Sequence, residues 1–135
     1  RNPWDKLVSE YFWFTNNKYR FPTRTAKNFY RKHAPTFVDF VPLFLNNKMG
    51  HKPHRMHYFW FLHPIDKFDF IGKLENFQED FNTVCDGIGI PHRELPHKFK
   101  TEHKPYWEYY DDETRDMVYG RYEADIEHFG YEFGK

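Results

Sequence analysis

Arg1 and Ser9 stand eight positions apart at the head of the chain, in the stretch Arg1-Asn2-Pro3-Trp4-Asp5-Lys6-Leu7-Val8-Ser9. Asn2 is a good helix N-cap, and Pro3 suits the first helical position, where its missing N–H costs nothing. Asp5 falls in the first turn, where a negative charge complements the helix dipole. Trp4, Leu7, Val8, Tyr11 and Phe12 then repeat at helical spacing. The pattern predicts a helix with Arg1 just before it and Ser9 about two turns inside, roughly 10 Å along the axis. An extended arginine covers most of that distance, so a guanidinium fork and a hydroxyl can close on one anion. Lys6 lies one turn before Ser9 on the same face and can assist. The plainer reading of these residues is a surface arginine followed by an amphipathic helix.

Three other groups carry chemically useful side chains. His51, His54 and His57 recur every third residue. Imidazole is a common metal ligand, but this spacing matches no compact zinc pattern, and no metal site is assigned. Lys98, Lys100, His103 and Lys104 precede Tyr106, Trp107, Tyr109 and Tyr110. The lysines can reach a phosphate or an anionic acceptor, and the rings can stack on a base or a sugar. The alternative is a solvated loop that its tyrosines pin to the core. Cys85 falls on the apolar face of a helical segment and reads as core rather than nucleophile.

The elements that would position these groups are mostly helical. The first helix is expected over 3–16, the second over 25–33, and a third over 37–45, capped by Thr36 with Asp39. Pro42 lies inside that third stripe and is expected to kink or shorten it. Residues 46–57 read as loop. The aromatic run 56–62 and the stretch 68–71 read as two strands of a short β-hairpin across a turn at 63–66. Asn76 and Glu79 have capping-box spacing, and Phe77, Phe81, Val84, Cys85 and Ile88 make an apolar stripe that Gly87, Gly89 and Pro91 end. Residues 91–110 read as a long loop, and loops of that length are functional or disordered as a rule. A last helix starts near Asp111 and ends at Gly130.

The 135 residues suffice for one domain with a modest core, and no linker or repeat divides them. Lys plus Arg and Asp plus Glu both number 20, so a dedicated nucleic-acid binder, which carries a basic excess, is disfavoured. No apolar run approaches the length of a membrane span. A single cysteine excludes an internal disulfide framework and favours a reducing compartment. The chain opens without methionine, inside a motif, so a natural N-terminus is expected to lie upstream.

Arg1 to Ser9 resembles the 3′-phosphate-binding motif, Arg-x-Pro-x-x-(Arg/Lys)-Leu-Val-Ser, of sulfotransferases that use 3′-phosphoadenosine 5′-phosphosulfate (PAPS). Asp69-Phe70-Ile71-Gly72-Lys73-Leu74-Glu75-Asn76-Phe77-Gln78-Glu79-Asp80-Phe81 resembles the Asp-x-Ile-Gly-(Arg/Lys)-x-Glu-Asn-x-x-x-Asp-Phe segment of the carbohydrate sulfotransferase family. Tyr109-Tyr110-Asp111-Asp112-Glu113-Thr114 and Asp125-Ile126-Glu127-His128-Phe129-Gly130-Tyr131-Glu132-Phe133 are similar to that family's closing stretches. The blocks occur in the expected order and bracket nearly the whole chain. Where many members carry His-x-x-Pro-Gln, this chain has Gly50-His51-Lys52-Pro53-His54. The family's phosphate loop for the 5′-phosphosulfate, which lies upstream of the Arg-x-Pro motif, has no equivalent here.

The resemblance implies an α/β, P-loop-like sulfotransferase fold, incomplete in this chain, with residues 1–135 as the C-terminal portion of a single sulfotransferase domain. It implies transfer of a sulfuryl group from PAPS to a hydroxyl of a carbohydrate. Arg1 and Ser9 would hold the 3′-phosphate, with Lys6 and Lys104 as further nucleotide contacts. A base must take the acceptor hydroxyl's proton. Glu75, at an expected strand-to-helix junction, and His54 are the candidates, and the base can also lie upstream of Arg1. The competing reading is a non-catalytic carbohydrate- or nucleotide-binding module derived from that fold. A bacterial or viral cytoplasm is the expected setting, and the Golgi lumen is the alternative if an upstream segment carries a membrane anchor.

Overall fold

Helix α1, Pro3–Thr15, begins as its cap chemistry dictates. The Asn2 side chain accepts from the Trp4 N–H at 3.0 Å, Pro3 opens the first turn, and Asp5 lies in that turn. The computed structural model describes residues 1–16, 24–46, 58–96 and 103–135. Helix α2 spans Arg24–His33 and α3 spans Phe37–Asn46. Thr36 and Asp39 cap α3 reciprocally: the Asp39 N–H donates to Thr36 Oγ1 at 3.3 Å, and the Thr36 N–H donates to Asp39 Oδ2 at 3.2 Å. Pro42 neither ends nor shortens α3, which runs on to Asn46.

Helix α1 packs against α2, α3 and α6, Asp112–Phe129. The interface is aromatic. Phe14, Tyr30, Phe40 and Phe44 are buried, with ring centroids 4.8 Å apart for Phe14–Tyr30 and 4.9 Å for Phe40–Phe44. Leu7, Val8, Val118 and Tyr122 complete the seam between α1 and α6. The start of α6 is fixed by a capping box in which Asp111 and Thr114 bond reciprocally. Its end is fixed by Gly130 at φ 64°, a left-handed position that suits glycine.

The expected β-hairpin is corrected. Tyr58–Phe61 is a short helix, α4, and no strand occurs among the described residues. The cause is distant in sequence. The buried Asp125 carboxylate accepts from the Tyr58 N–H at 2.9 Å and the Phe59 N–H at 2.7 Å, which caps a helical turn and leaves no ladder donors there. Residues 68–73 follow a short 3₁₀ turn, Ile65–Lys67, with no strand to pair with.

The expected Asn76–Glu79 capping box is also absent. A 3₁₀ turn, Leu74–Asn76, runs directly into α5, Phe77–Ile88, and the Asn76 side chain caps nothing. Asp80 instead reaches back to accept from the Lys73 N–H at 2.5 Å. Gly72 permits that approach, because a Cβ there would stand 3.2 Å from the Asp80 Cβ. Gly87 lies inside α5, and Gly89 at φ 73° ends it. The α5 stripe is not core. Cys85 is buried, but Phe77 and Ile88 are 51% and 65% exposed. The expected loop at 91–110 contains a 3₁₀ turn, Tyr106–Tyr109.

Candidate functional site

The head of α1 is held by its neighbours before any function is assigned. Trp4 Nε1 donates to the Arg115 carbonyl at 3.1 Å, and the Tyr110 hydroxyl donates to the Trp4 carbonyl at 2.9 Å. The buried Tyr106 hydroxyl meets Asn2 Nδ2 at 3.3 Å and accepts from the Gly134 N–H at 2.7 Å. These bonds lock the start of α1 against α6, the 106–109 turn and the chain's last residues.

On that fixed helix the Arg1 side chain folds back along two turns. Its Nε and Nη2 donate to Asp5 Oδ2 at 2.9 and 2.7 Å, and Nη2 also donates to Ser9 Oγ. The structure therefore brings Arg1 and Ser9 into direct contact. It adds two residues that sequence reasoning did not place in the site. Asp5 neutralises part of the guanidinium charge, and His103 closes the far side with Nε2 3.5 Å from Ser9 Oγ. For His103 the only sequence signal was its place among the loop lysines.

Lys6 turns into a neighbouring cavity. Lys6 is 6% exposed, and its Nζ has no hydrogen-bond partner among the described residues. Nζ lies 4.8 Å from the Tyr58 ring centroid and 5.2 Å from that of Tyr122, within cation–π range. Burial pushes its ammonium below the ordinary lysine value, against the pull of Glu10 and Asp125. The cavity, about 850 Å³, is lined chiefly by apolar side chains such as Phe70, Leu74, Phe77 and Phe129, with Arg1, Lys6, Glu10, Lys73 and Asp80 as its charged groups. Arg1 thus borders both the Ser9–His103 cluster and the cavity.

The other sequence candidates stand as follows. Glu75 Oε1 accepts from the Asn2 backbone N–H at 2.5 Å, so its carboxylate ties the 74–76 turn to the start of α1. It does not line the cavity, although Lys73 and Leu74 on either side of that turn's start do. Lys104 presents its main chain to the site: its carbonyl accepts from His103 Nδ1 at 2.7 Å. Its ammonium is exposed and pairs with Glu108 at 3.5 Å. His54, with His51, His57, Lys98 and Lys100, lies outside the described residues.

The 69–81 stretch does mostly architectural work. Gly72 admits Asp80, Asp80 holds the Lys73 N–H, and Lys73 Nζ donates to the Phe129 carbonyl at 2.6 Å, capping the end of α6. Glu75 anchors α1. One short segment therefore joins α1, α5 and α6. A model of the sulfotransferase family matches residues 1–132. The chain belongs to that family. No curated protein and no solved structure matches it. Membership supports sulfuryl transfer in general and the P-loop-like sulfotransferase fold. No helix among the described residues is long and apolar enough to cross a membrane.

Proposed function

We propose that this sulfotransferase uses PAPS as its donor and transfers the sulfuryl group to a hydroxyl of a carbohydrate. In this reading residues 1–135 are the C-terminal portion of a sulfotransferase domain, which the order of the motifs supports, and the single cysteine favours a reducing compartment. The observation that carries the reading is the meeting of the Arg1 guanidinium with the Ser9 hydroxyl across two turns of α1. A guanidinium fork beside a hydroxyl suits a phosphate dianion, and the adjoining cavity has the size and apolar lining of a small-molecule site.

In this reading Arg1 and Ser9 grip the 3′-phosphate and so fix the donor's register. The apolar cavity walls exclude water from the bound nucleotide, which strengthens the charge interactions inside. Positioning of donor and acceptor in line supplies most of the rate, by analogy with phosphoryl transfer. Glu75 and His54 are the candidate bases, and Lys104 is a further nucleotide contact. The acceptor class is tested by incubating the intact protein with PAPS and a panel of oligosaccharides, alcohols and phenols. Sulfated oligosaccharide, read by mass spectrometry, is the expected product. Sulfation of phenols or simple alcohols alone would overturn the carbohydrate assignment.

A further inference from the structure

Lysine side chains on helices reach water as a rule, because a buried nitrogen without a partner costs free energy. Lys6 departs from the rule. The capped start of α1 sends its side chain between the rings of Tyr58 and Tyr122 at the wall of the cavity, and Nζ finds no hydrogen-bond partner among the described residues. Ring faces attract a cation but are poor substitutes for an oxygen acceptor. The other charged groups of the wall have partners. Arg1 donates to Asp5, Lys73 Nζ donates to the Phe129 carbonyl, and Asp80 accepts from the Lys73 N–H. Glu10 stands one turn along α1 on the same wall, and no hydrogen bond joins it to Lys6 Nζ. The wall thus carries three cationic side chains against two carboxylates. Between them it is apolar, with Leu62, Phe70, Leu74 and Phe81 among its surfaces.

Nζ carries N–H donors whether or not it is protonated, so the partner it lacks is an acceptor. The excess of cations on the wall favours an anionic acceptor, and the apolar remainder favours a hydrocarbon or aromatic body. We propose that the cavity is a second binding site, for one small molecule with a carboxylate-type head on an apolar body, and that Lys6 Nζ is the donor that holds the head. A cavity of about 850 Å³ is of the size that encloses such a molecule. The inference does not rest on the 3′-phosphate reading, which uses the Asp5–Ser9 side of Arg1 rather than the Lys6 side. Both readings draw on the same apolar walls, so the test is run without nucleotide.

The test is calorimetric titration of the intact protein with octanoate and with octanamide, which share a chain and differ in the charge of the head. The wild type is expected to bind octanoate about tenfold or more tighter than octanamide. Lys6→Met keeps a long apolar side chain and should bring octanoate down to the affinity of octanamide. Phe81→Ala should weaken both ligands by a similar factor. Equal wild-type affinities, or a preference that survives Lys6→Met, would overturn Lys6 as the donor. No binding of either ligand, or affinities unchanged in Phe81→Ala, would overturn the cavity as their site. A separate titration of Lys6→Met with adenosine 3′,5′-bisphosphate distinguishes the remaining case. If that variant loses bisphosphate affinity and keeps its octanoate preference, Lys6 serves the nucleotide and the inference falls. If the wild type binds the bisphosphate no better than adenosine 5′-monophosphate while the octanoate results hold, the 3′-phosphate reading falls alone.

Discussion

Lys6 and Glu75 show how differently two charged side chains one helix start apart can behave. Glu75 is engaged, with its carboxylate on the Asn2 N–H. Glu75→Gln retains an acceptor oxygen, so nucleotide affinity and thermal stability are expected to stay near wild type. If the residue is also the base, kcat falls by about 10²-fold or more. An unchanged kcat would leave it an anchor only. Lys6 Nζ has no hydrogen-bond partner among the described residues, and its burial sets a pH dependence. Its ammonium is pushed below the ordinary 10.5, so the folded chain releases that proton before the unfolded chain does. Below 10.5 the unfolded state then holds more protons, and stability rises with pH until both states are neutral. Burial moves Tyr110, Tyr122 and Tyr131 the other way, above 10.0, so beyond that pH the unfolded chain loses protons the folded chain keeps, and stability falls. Urea midpoints should therefore climb as pH rises toward 10.5 and drop once the tyrosines of the unfolded chain ionise. Lys6→Met should gain about 1–3 kcal/mol at neutral pH by removing an unsatisfied buried group. It should also flatten the climb while leaving the drop. A climb of the same size in the variant would contradict the account of Lys6. At this scale the sequence was legible where partners share a helix: the meeting of Arg1 and Ser9 follows from their spacing, whereas Asp5 read only as a first-turn acid. It was not legible for His103, whose contact with Ser9 joins positions 94 apart.

Elements were readable from sequence where their boundaries are set locally. The Asn2–Pro3 start of α1, the Thr36–Asp39 start of α3 and the Gly130 end of α6 depend on residues within one turn, and each formed. The described part of the expected strand, 58–62, is not a strand because its β-forming aromatics were overruled from 67 positions away by Asp125. That explanation has a direct check. Asp125→Ala orphans two backbone donors, the Tyr58 and Phe59 N–H groups, at about 1–3 kcal/mol each. The expected result is a large loss of stability with hydrogen-exchange protection of those two amides lost first. Unchanged protection there would mean that α4 does not depend on the Asp125 cap. Pro42 misled for a related reason, since packing of Phe40, Val41 and Phe44 into the aromatic core holds α3 together despite one missing donor. The α5 periodicity was real, but periodicity identifies an apolar face without telling whether anything covers it.

For the molecule as a whole, α1 is the common partner: α2, α3, α6 and the 106–109 turn all pack against it, and its first turn also receives Glu75 from the 74–76 turn. The proposed phosphate site therefore sits at the best-braced end of the chain, while α5 carries an exposed apolar row of Phe77, Val84 and Ile88, with Phe68, Phe70, Leu74 and Ile90 nearby. A row of that kind on an isolated chain promotes association. The 1–135 chain alone is expected to bind an apolar dye and to self-associate, and Ile88→Glu to reduce both without loss of helical signal. A monomeric, dye-silent wild-type chain would count against that view of α5. The central claim concerns the other end. The measurement that tests it most directly is titration of the intact protein with adenosine 3′,5′-bisphosphate against adenosine 5′-monophosphate, for wild type, Arg1→Ala and Ser9→Ala. Tighter binding of the bisphosphate, by about tenfold or more and reduced in both variants, is the predicted result. Equal binding of the two nucleotides by the wild type would contradict the assignment of Arg1 and Ser9 to a 3′-phosphate.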